Sequence, residues 1–443
     1  MTKKTDVLIL GAGITGLAAA KYLSEKGQGL IIIEKSPLLG GLARTVKTGD
    51  HCFDLGGHRL YFRDPGLEKE VEELIGPENL IKQKRKSRIV IEGRFLKYPP
   101  SLAEAFFHLT PDVVFSAIKG PASLPAGGIS LQDWITGNFG GKIHDLYFRD
   151  YTKKVWGLET SEISAVWAEA RIGKTSMLKM AADLLPGRAL TKENAKIFSY
   201  PSKGIGELAK AFERALEDKA GIITSARPIK FIKNGTKLAA LEYEHENTAK
   251  TVEFNTAIST IPLNALGDLL GLAEDRSFKN LRYRALIVAF VLLEKPEAFE
   301  DHWLYFPDKD IFFSRACELC NWSPHFKKSA FYPMTFEIFC DKGDKTWNAR
   351  ESCIKENLLT SFQKVKGLEK AFIKYFAMEK IDAAYPLLYR GYEESLSAAT
   401  SEATEYSNLK LAGRSGTHSY FDLEECLKSA KTAAENILKP TVA

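Results

Sequence analysis

The sequence predicts an α/β protein built on a mostly parallel sheet, with a second, α+β part inserted into it. Three observations carry that expectation. Asp6 to Leu10 reads DVLIL, a short apolar run suited to a strand buried on both faces. Thr15 to Lys26 follows with helix formers and apolar residues at helical spacing. Leu30 to Ile33 (LIII) is a second buried run, and it ends on Glu34. Strand, helix and strand in that order make a βαβ unit, whose crossover is right-handed in almost all proteins. The chain is 443 residues long. Domains usually run to roughly 100–200 residues, so two or three are expected.

The later elements follow in order. Asp150 to Lys174, mixed aromatic and charged, is expected to be helical, and Ile205 to Lys219 reads as an amphipathic helix. Ile222 to Phe231, Leu238 to His245 and Thr251 to Phe254 alternate in a β manner around the turn Asn234-Gly235. They predict a strand meander that leads into the strand AISTIPL, Ala257 to Leu263. Leu286 to Leu293 (LIVAFVLL) is a strand of the second part, central in its sheet, and Ser429 to Leu438 is a closing helix. The Gly- and Pro-rich stretch Gly120 to Gly128 is expected to be a loop.

Composition narrows the function classes. Hydrophobic content of 45% and charged content of 26% fit an ordered globular protein. The net charge of +5 is small for this length. The basic run from Ile81 to Arg88 reads as a solvated face, so no nucleic-acid partner is expected. Six cysteines are scattered, which argues against a disulfide framework and for a reducing, cytoplasmic setting. Cys317 and Cys320 form a lone CxxC with no second ligand pair, so no metal site is expected. Val7 to Ala20 is interrupted by glycines and falls short of the roughly 18 apolar residues of a spanning helix. Phe106, Phe107, Val113, Val114 and Phe115 read as core rather than as a membrane-facing surface.

GAGITG, Gly11 to Gly16, follows a strand and opens a helix, and Glu34 lies 23 residues after Gly11 at the tip of the second strand. This is the spacing of a Rossmann-type dinucleotide loop. Gly11 permits the turn, Gly13 admits a pyrophosphate, and Gly16 lets helix pack on strand. The helix N-terminus offers free N–H groups to phosphates, and Glu34 can accept ribose hydroxyls. Next to Glu34 and Lys35 come Gly40, Gly41, Leu42, Arg44 and Thr45, where a backbone can run close to a cofactor and an arginine can reach its pyrophosphate. FDLGGHRLYF adds Gly56 and Gly57 before His58, which suits a chain passing flat against an isoalloxazine ring. The cofactor expected from this set is FAD.

These motifs, together with YTKKVWG (Tyr151 to Gly157), AISTIPL, AYPLL (Ala384 to Leu388 with its preceding Ala383) and the closing AGRSGTHSYFDLEECL, cover nearly the whole chain. The sequence resembles the amine-oxidase-type flavoprotein superfamily, closest to its protoporphyrinogen-oxidase-like proteins and UDP-galactopyranose mutases. The resemblance implies a discontinuous FAD domain of two-dinucleotide-fold type over 1–62, 200–265 and 376–443, with a substrate domain over 63–199 and 266–375. It implies cofactor contacts from Ile14, Thr15, Gly413, Arg414, Tyr420, Phe421 and Leu423, and an adenine contact from the backbone of Ile229. His58 would stand beside the flavin.

For the substrate, YTKKVWG followed by Arg171 resembles the mutase stretch YTxKQWG. Arg315 stands where that family has an arginine on the sugar-nucleotide diphosphate, and Tyr385 matches a tyrosine near the sugar. Gly173, Lys174 and Thr175 depart from the second arginine of the mutase stretch, and GGHRLYFRD differs from its histidine stretch. The first expectation is an FAD-dependent oxidoreductase that takes a hydride from a bound small molecule. The alternative is a redox-neutral sugar-nucleotide mutase using reduced FAD, in which Arg171 and Arg315 grip the diphosphate. A binding or scaffolding role is the third reading. A homodimer is the default expectation from symmetry.

Overall fold

The structure, a computed structural model, describes residues 3–98, 129–171, 197–294, 299–327 and 331–439, without the side chains of 169–171. Strand Lys3–Leu10 lies parallel to Leu30–Ile33 and is joined to it by helix Ile14–Ser24. Around this unit grows a seven-stranded sheet. Thr248–Ser259, Leu409–Leu411 and Ala220–Ile223 extend its parallel part. Lys237–His245 and Ala226–Asn234 add the antiparallel meander. The closing helix Leu423–Leu438 begins on a capping box between Asp422 and Glu425 and packs along Ile14–Ser24.

Two strand expectations are corrected. Ile222 to Phe231 is not one strand but two, broken at Ser225, whose φ is 50°. At the break the Ser225 N–H bonds the Ser36 carbonyl at 3.1 Å and the Ala226 N–H bonds that of Glu34 at 2.9 Å. The first piece thus stays on the parallel edge while the second leaves as the meander. AISTIPL is also shorter as a strand, which stops at Ser259. Pro262 cannot donate to a ladder, and helix Leu263–Leu269 starts directly after it.

A second seven-stranded sheet runs Phe372–Pro386, Tyr283–Glu294, Tyr332–Cys340, Arg315–Glu318, Trp303–Tyr305, Ser87–Ile91 and Arg94–Lys97. Tyr283–Glu294 is not central but second from the edge, paired on both sides by Phe372–Pro386 and Tyr332–Cys340, and its unbroken apolar run reflects burial of both faces rather than a middle position. Leu286, Val288, Phe290 and Leu292 join the core shared with the first sheet, and Phe290 stacks at 5.2 Å on Phe53 of the hairpin Thr45–Thr48/His51–Asp54. The alternate residues Ile287, Ala289, Val291 and Leu293 join Ile354 and Leu358 of helix Glu351–Phe362. Each buried side chain of this size stabilises the fold by roughly 1.5–3 kcal/mol, so this strand fixes one sheet against the other. The outer strand Phe372–Pro386 pairs with it along both sides of position 376.

The basic run is less exposed than expected. Arg88 binds Asp301 with two nitrogens, Nε at 2.9 Å and Nη2 at 2.5 Å, and Asp301 is buried. The stretch expected to be helical, Asp150 to Lys174, is instead two helices, Arg149–Trp156 and Val166–Arg171, and the chain leaves the first at Gly157, whose φ is 69°, for a non-helical segment over 157–165. Residues 172–174 of that stretch, Lys174 included, the Gly120 to Gly128 loop and the apolar cluster from Phe106 to Phe115 lie outside the described residues. Among the described residues no helix is long and apolar enough to cross a membrane, and no cluster of metal-ligating side chains occurs.

Candidate active site

The glycine loop is built to receive an anion. Helix Ile14–Ser24 starts with Gly13 at its cap position, no side-chain cap and no acidic residue in its first turn. Its first N–H groups and the positive end of its dipole are left to whatever lies before the loop. A Cβ at Gly16 would overlap the Gly11 carbonyl oxygen, so only glycine lets the helix sit this close to the strand. Gly40 faces Gly13 as a parallel bridge and donates its N–H to the Ala12 carbonyl at 2.8 Å. Gly41 packs against Gly13, and Leu42 is half-buried in the turn closed by the Ala43 N–H on the Gly40 carbonyl at 3.0 Å. Glu34 is buried, with Oε2 accepting the Ala12 N–H at 2.7 Å and Oε1 that of Ser36 at 2.7 Å. A carboxylate has about four lone-pair positions, so Glu34 can still accept from a ribose.

Arg44 closes the loop from the other side. Its guanidinium forms an ion pair with Glu379, and Nη1 donates to Ser36 Oγ at 3.3 Å. Its Nε is buried without a hydrogen-bond partner. Burial holds its pKa below the ordinary arginine range, against the pull of Glu34. Thr45 faces elsewhere: its hydroxyl donates to Asp54 at 2.6 Å and accepts the Gly206 N–H at 2.9 Å. Asp54 also accepts from the Tyr200 hydroxyl and from the Ile205 N–H at 3.1 Å, and burial pushes its pKa up to about 6 against these donors. Thr45 therefore ties the hairpin Thr45–Thr48/His51–Asp54 to helix Gly206–Leu216. Lys35 is exposed and pairs with Asp382 at 3.3 Å. Ile229 falls at a register shift of strand Ala226–Asn234, where neither neighbouring pair includes it.

The third glycine pair leads to the ring position. A Cβ at Gly57 would fall inside the Trp303 indole. His58 follows, with Nδ1 buried and without a hydrogen-bond partner. Burial, and then the charge of Arg414, lower its pKa to about 4, so the imidazole is neutral at neutral pH. Arg414 donates Nε to the Phe421 carbonyl at 2.6 Å and lies 5.2 Å from the Tyr385 ring and 5.8 Å from the Tyr420 ring. Those two rings stack at 5.7 Å, and Trp156 meets them edge-on at 5.7 and 5.9 Å. Gly413, just before Arg414, packs on Thr15 and donates its N–H to Ser429 Oγ at 2.9 Å. Leu423 opens the closing helix.

Beyond this aromatic group stands a polar wall. Arg315 pairs in register with Tyr305 on one side and Glu337 on the other. Its Nη1 donates to Glu337 at 3.0 Å and to the Tyr385 hydroxyl at 3.4 Å, and Nε to the Tyr151 hydroxyl at 3.1 Å. Side-chain exposure is 12% for Arg315 and 5% for Glu337, so this is a buried ion pair. Tyr151 is pushed up to about 12 by burial, against the Arg315 charge, and stays a hydroxyl donor. Lys154, one helical turn on, donates to the carbonyls of Phe306 at 2.9 Å and Asp308 at 3.0 Å, and burial lowers its pKa to about 7.

Arg315 and Tyr385 thus meet, joined by Tyr151 and Glu337, which the sequence reading did not single out. Glu337 had a readable signal: it is the lone carboxylate in the apolar strand Tyr332–Cys340, a position that demands a buried cation. Tyr151 sat unmarked inside YTKKVWG. Arg171 ends helix Val166–Arg171, and its side chain lies outside the described residues.

The residues present fit a flavin dinucleotide. An uncapped helix start, close-packed glycines and the open Nε of Arg44 offer donors for a pyrophosphate, and the unpartnered, buried Nδ1 of His58 offers a polar atom to a ring, while the space beside Gly57 is taken by Trp303. Comparison with known proteins agrees. The chain is 24% identical over 289 residues to chloroplastic protoporphyrinogen oxidase of Nicotiana tabacum, covering 60% of this chain and 52% of that protein. It is 24% identical over 176 residues to a probable UDP-galactopyranose mutase of Klebsiella pneumoniae, covering 36% of this chain and 43% of that one. The match spans about half the length of the curated protoporphyrinogen oxidases. A crystal structure of reduced UDP-galactopyranose mutase has the same fold, with a TM-score of 0.83 over 99% of this chain and 96% of that one, at 20% identity. Flavin-containing amine oxidoreductases match as a family over residues 14–438. The chain belongs to that family, and its cofactor is FAD.

Proposed function

We propose that this flavoenzyme acts on an oxygen-rich, anionic small molecule, and that its reaction is a redox-neutral conversion of a sugar nucleotide. One observation carries the reading: Arg315 and the hydroxyls of Tyr151 and Tyr385 converge on one spot beside the aromatic group of Trp156 and Tyr420. A planar guanidinium with two hydroxyl donors beside it suits phosphate or carboxylate oxygens and offers little to an apolar substrate.

FAD supplies, when bound, the ring at which the substrate carbon reacts. The chain's residues do the rest. Glu337 holds the Arg315 fork in one orientation and lowers the cost of burying it, while Tyr151 and Tyr385 add neutral donors that cost no further charge burial. Trp156, Tyr385 and Tyr420 pack on one another beside Arg414 and give the polar wall an apolar flank. His58, neutral at neutral pH, leaves Arg414 as the cation at the ring position.

The oxidoreductase reading is supported by the family description and by the same aromatic flank, which suits a donor carbon that must be kept dry. One experiment separates the two. The dithionite-reduced enzyme is incubated anaerobically with UDP- and dTDP-hexoses, with the oxidised enzyme alongside. A pyranose–furanose interconversion seen only after reduction is expected. No conversion in either state, together with flavin bleaching by an amine or apolar donor, would replace this reading with the oxidoreductase.

A further inference from the structure

The outer strand of the second sheet does more than close that sheet. Along Phe372–Pro386, three side chains reach the segment that follows Glu34 in the cofactor cradle. The Tyr375 hydroxyl bonds that of Thr48, Glu379 pairs with Arg44, and Asp382 pairs with Lys35 at 3.3 Å. The same strand carries Tyr385, the ring beneath Arg414 and the hydroxyl beside Arg315. The three cradle contacts are unequal. Lys35 is 67% exposed, so its ion pair is worth little. Arg44 is 14% exposed and Glu379 27%, and Arg44 has one nitrogen on Glu379, one on Ser36 and a buried Nε left over.

A guanidinium is a rigid plane. Fixing it at Nη2 by a carboxylate and at Nη1 by a hydroxyl fixes where Nε points, and Nε is the one nitrogen of the three that is buried without a partner. A buried cation without a counter-charge would also pay a large desolvation cost. We propose that Glu379 is the positioning residue for Arg44, a carboxylate from the substrate sheet that presets the arginine for the FAD pyrophosphate and so governs how tightly the cofactor is retained. The inference rests on Arg44 facing the pyrophosphate and is independent of which substrate the enzyme takes.

The test is a double-mutant cycle read as the dissociation constant of FAD. Wild type, Glu379→Gln, Arg44→Met and the double variant are stripped of flavin and titrated with FAD by fluorescence quenching. Glu379→Gln keeps the shape of the side chain and should weaken FAD binding roughly tenfold, the size of one charge-assisted hydrogen bond. In the Arg44→Met background the same change should have no effect on FAD binding, because the carboxylate then has nothing to position. An equal weakening in both backgrounds would mean a general loss of fold and would overturn the proposal. So would a Glu379→Gln enzyme that binds FAD as tightly as wild type, or more tightly. If Arg44→Met alone leaves FAD binding unchanged, Arg44 does not face the pyrophosphate and the proposal falls with it. None of these outcomes depends on turnover, so the sugar-nucleotide reading stands or falls separately. A Glu379→Asp enzyme, with a shorter carboxylate, covers the case in which Glu379→Gln does not fold.

Discussion

In the cofactor cradle, the bond from the Ala12 N–H to Glu34 spans 22 positions and closes within one βαβ unit. In the polar wall around Arg315, that arginine reaches Tyr385 across 70 positions and Tyr151 across 164. The cradle is made by steric fit, with Gly11, Gly16 and Gly40 placed where a Cβ would collide. The wall is made by side chains whose meeting depends on the register of Arg315–Glu318 against Tyr332–Cys340 and on a helix docked from elsewhere. The two regions should therefore fail in different ways. The wall should fail through uncompensated charge, and the cradle through steric misfit.

The largest effect is expected in the wall. Glu337→Ala leaves Arg315 buried without its counter-charge and should destabilise the protein by about 4 kcal/mol, seen as a shift of the denaturant midpoint. Glu337→Gln, which keeps a hydrogen-bond acceptor, should cost less. A loss under about 1 kcal/mol for the alanine variant would mean that water reaches Arg315 and that the wall is not a buried electrostatic unit.

The cradle should respond to a single methyl group. Gly16→Ala places a Cβ on the Gly11 carbonyl oxygen and should cost about 3 kcal/mol, with helix and strand pushed apart. The ratio of flavin to protein absorbance in the purified enzyme should fall with it. Full flavin content at unchanged stability would show that the loop can relax, and would remove the steric half of the comparison.

This contrast also explains what was readable in advance. Gly11, Gly13, Gly16, Glu34, Gly40 and Gly41 could be read from spacing alone, because they sit at fixed offsets around one βαβ turn, and a Cβ at Gly16, Gly40 or Gly41 would meet backbone of that same segment. The run from Leu286 to Leu293 was readable for a similar reason, since a strand buried on both faces must be apolar throughout. Ser225 was not readable, because a non-glycine residue at positive φ carries no compositional mark, and one expected strand became two. Arg88 lies in a basic run that looks solvated until Asp301, brought in by a parallel strand pairing, meets it. Tyr151 escaped because its partner Arg315 is 164 positions away, while Glu337 carried its mark as a lone carboxylate in an apolar strand. Ile229 was assigned by resemblance, and the register shift at that point could not be seen without the sheet.

His58 belongs to both regions, since its backbone continues the cradle and its ring shares space with Arg414, whose guanidinium lies over Tyr385. Its pKa is lowered to about 4 by burial first and by Arg414 second, from an ordinary value of 6.5. A group whose folded pKa is depressed favours the folded state while it is neutral. Its contribution is complete above pH 6.5 and is lost as pH falls through about 4. After allowance for its partial exposure this amounts to about 2 kcal/mol. His302 and His418, also lowered to about 4 by burial, act in the same direction. His58→Gln should therefore make the fall in melting temperature between pH 7 and pH 4 shallower without abolishing it. If the slope is identical in the two proteins, His58 is solvated in both protonation states, and the ring position is open to water rather than enclosed between cradle and wall.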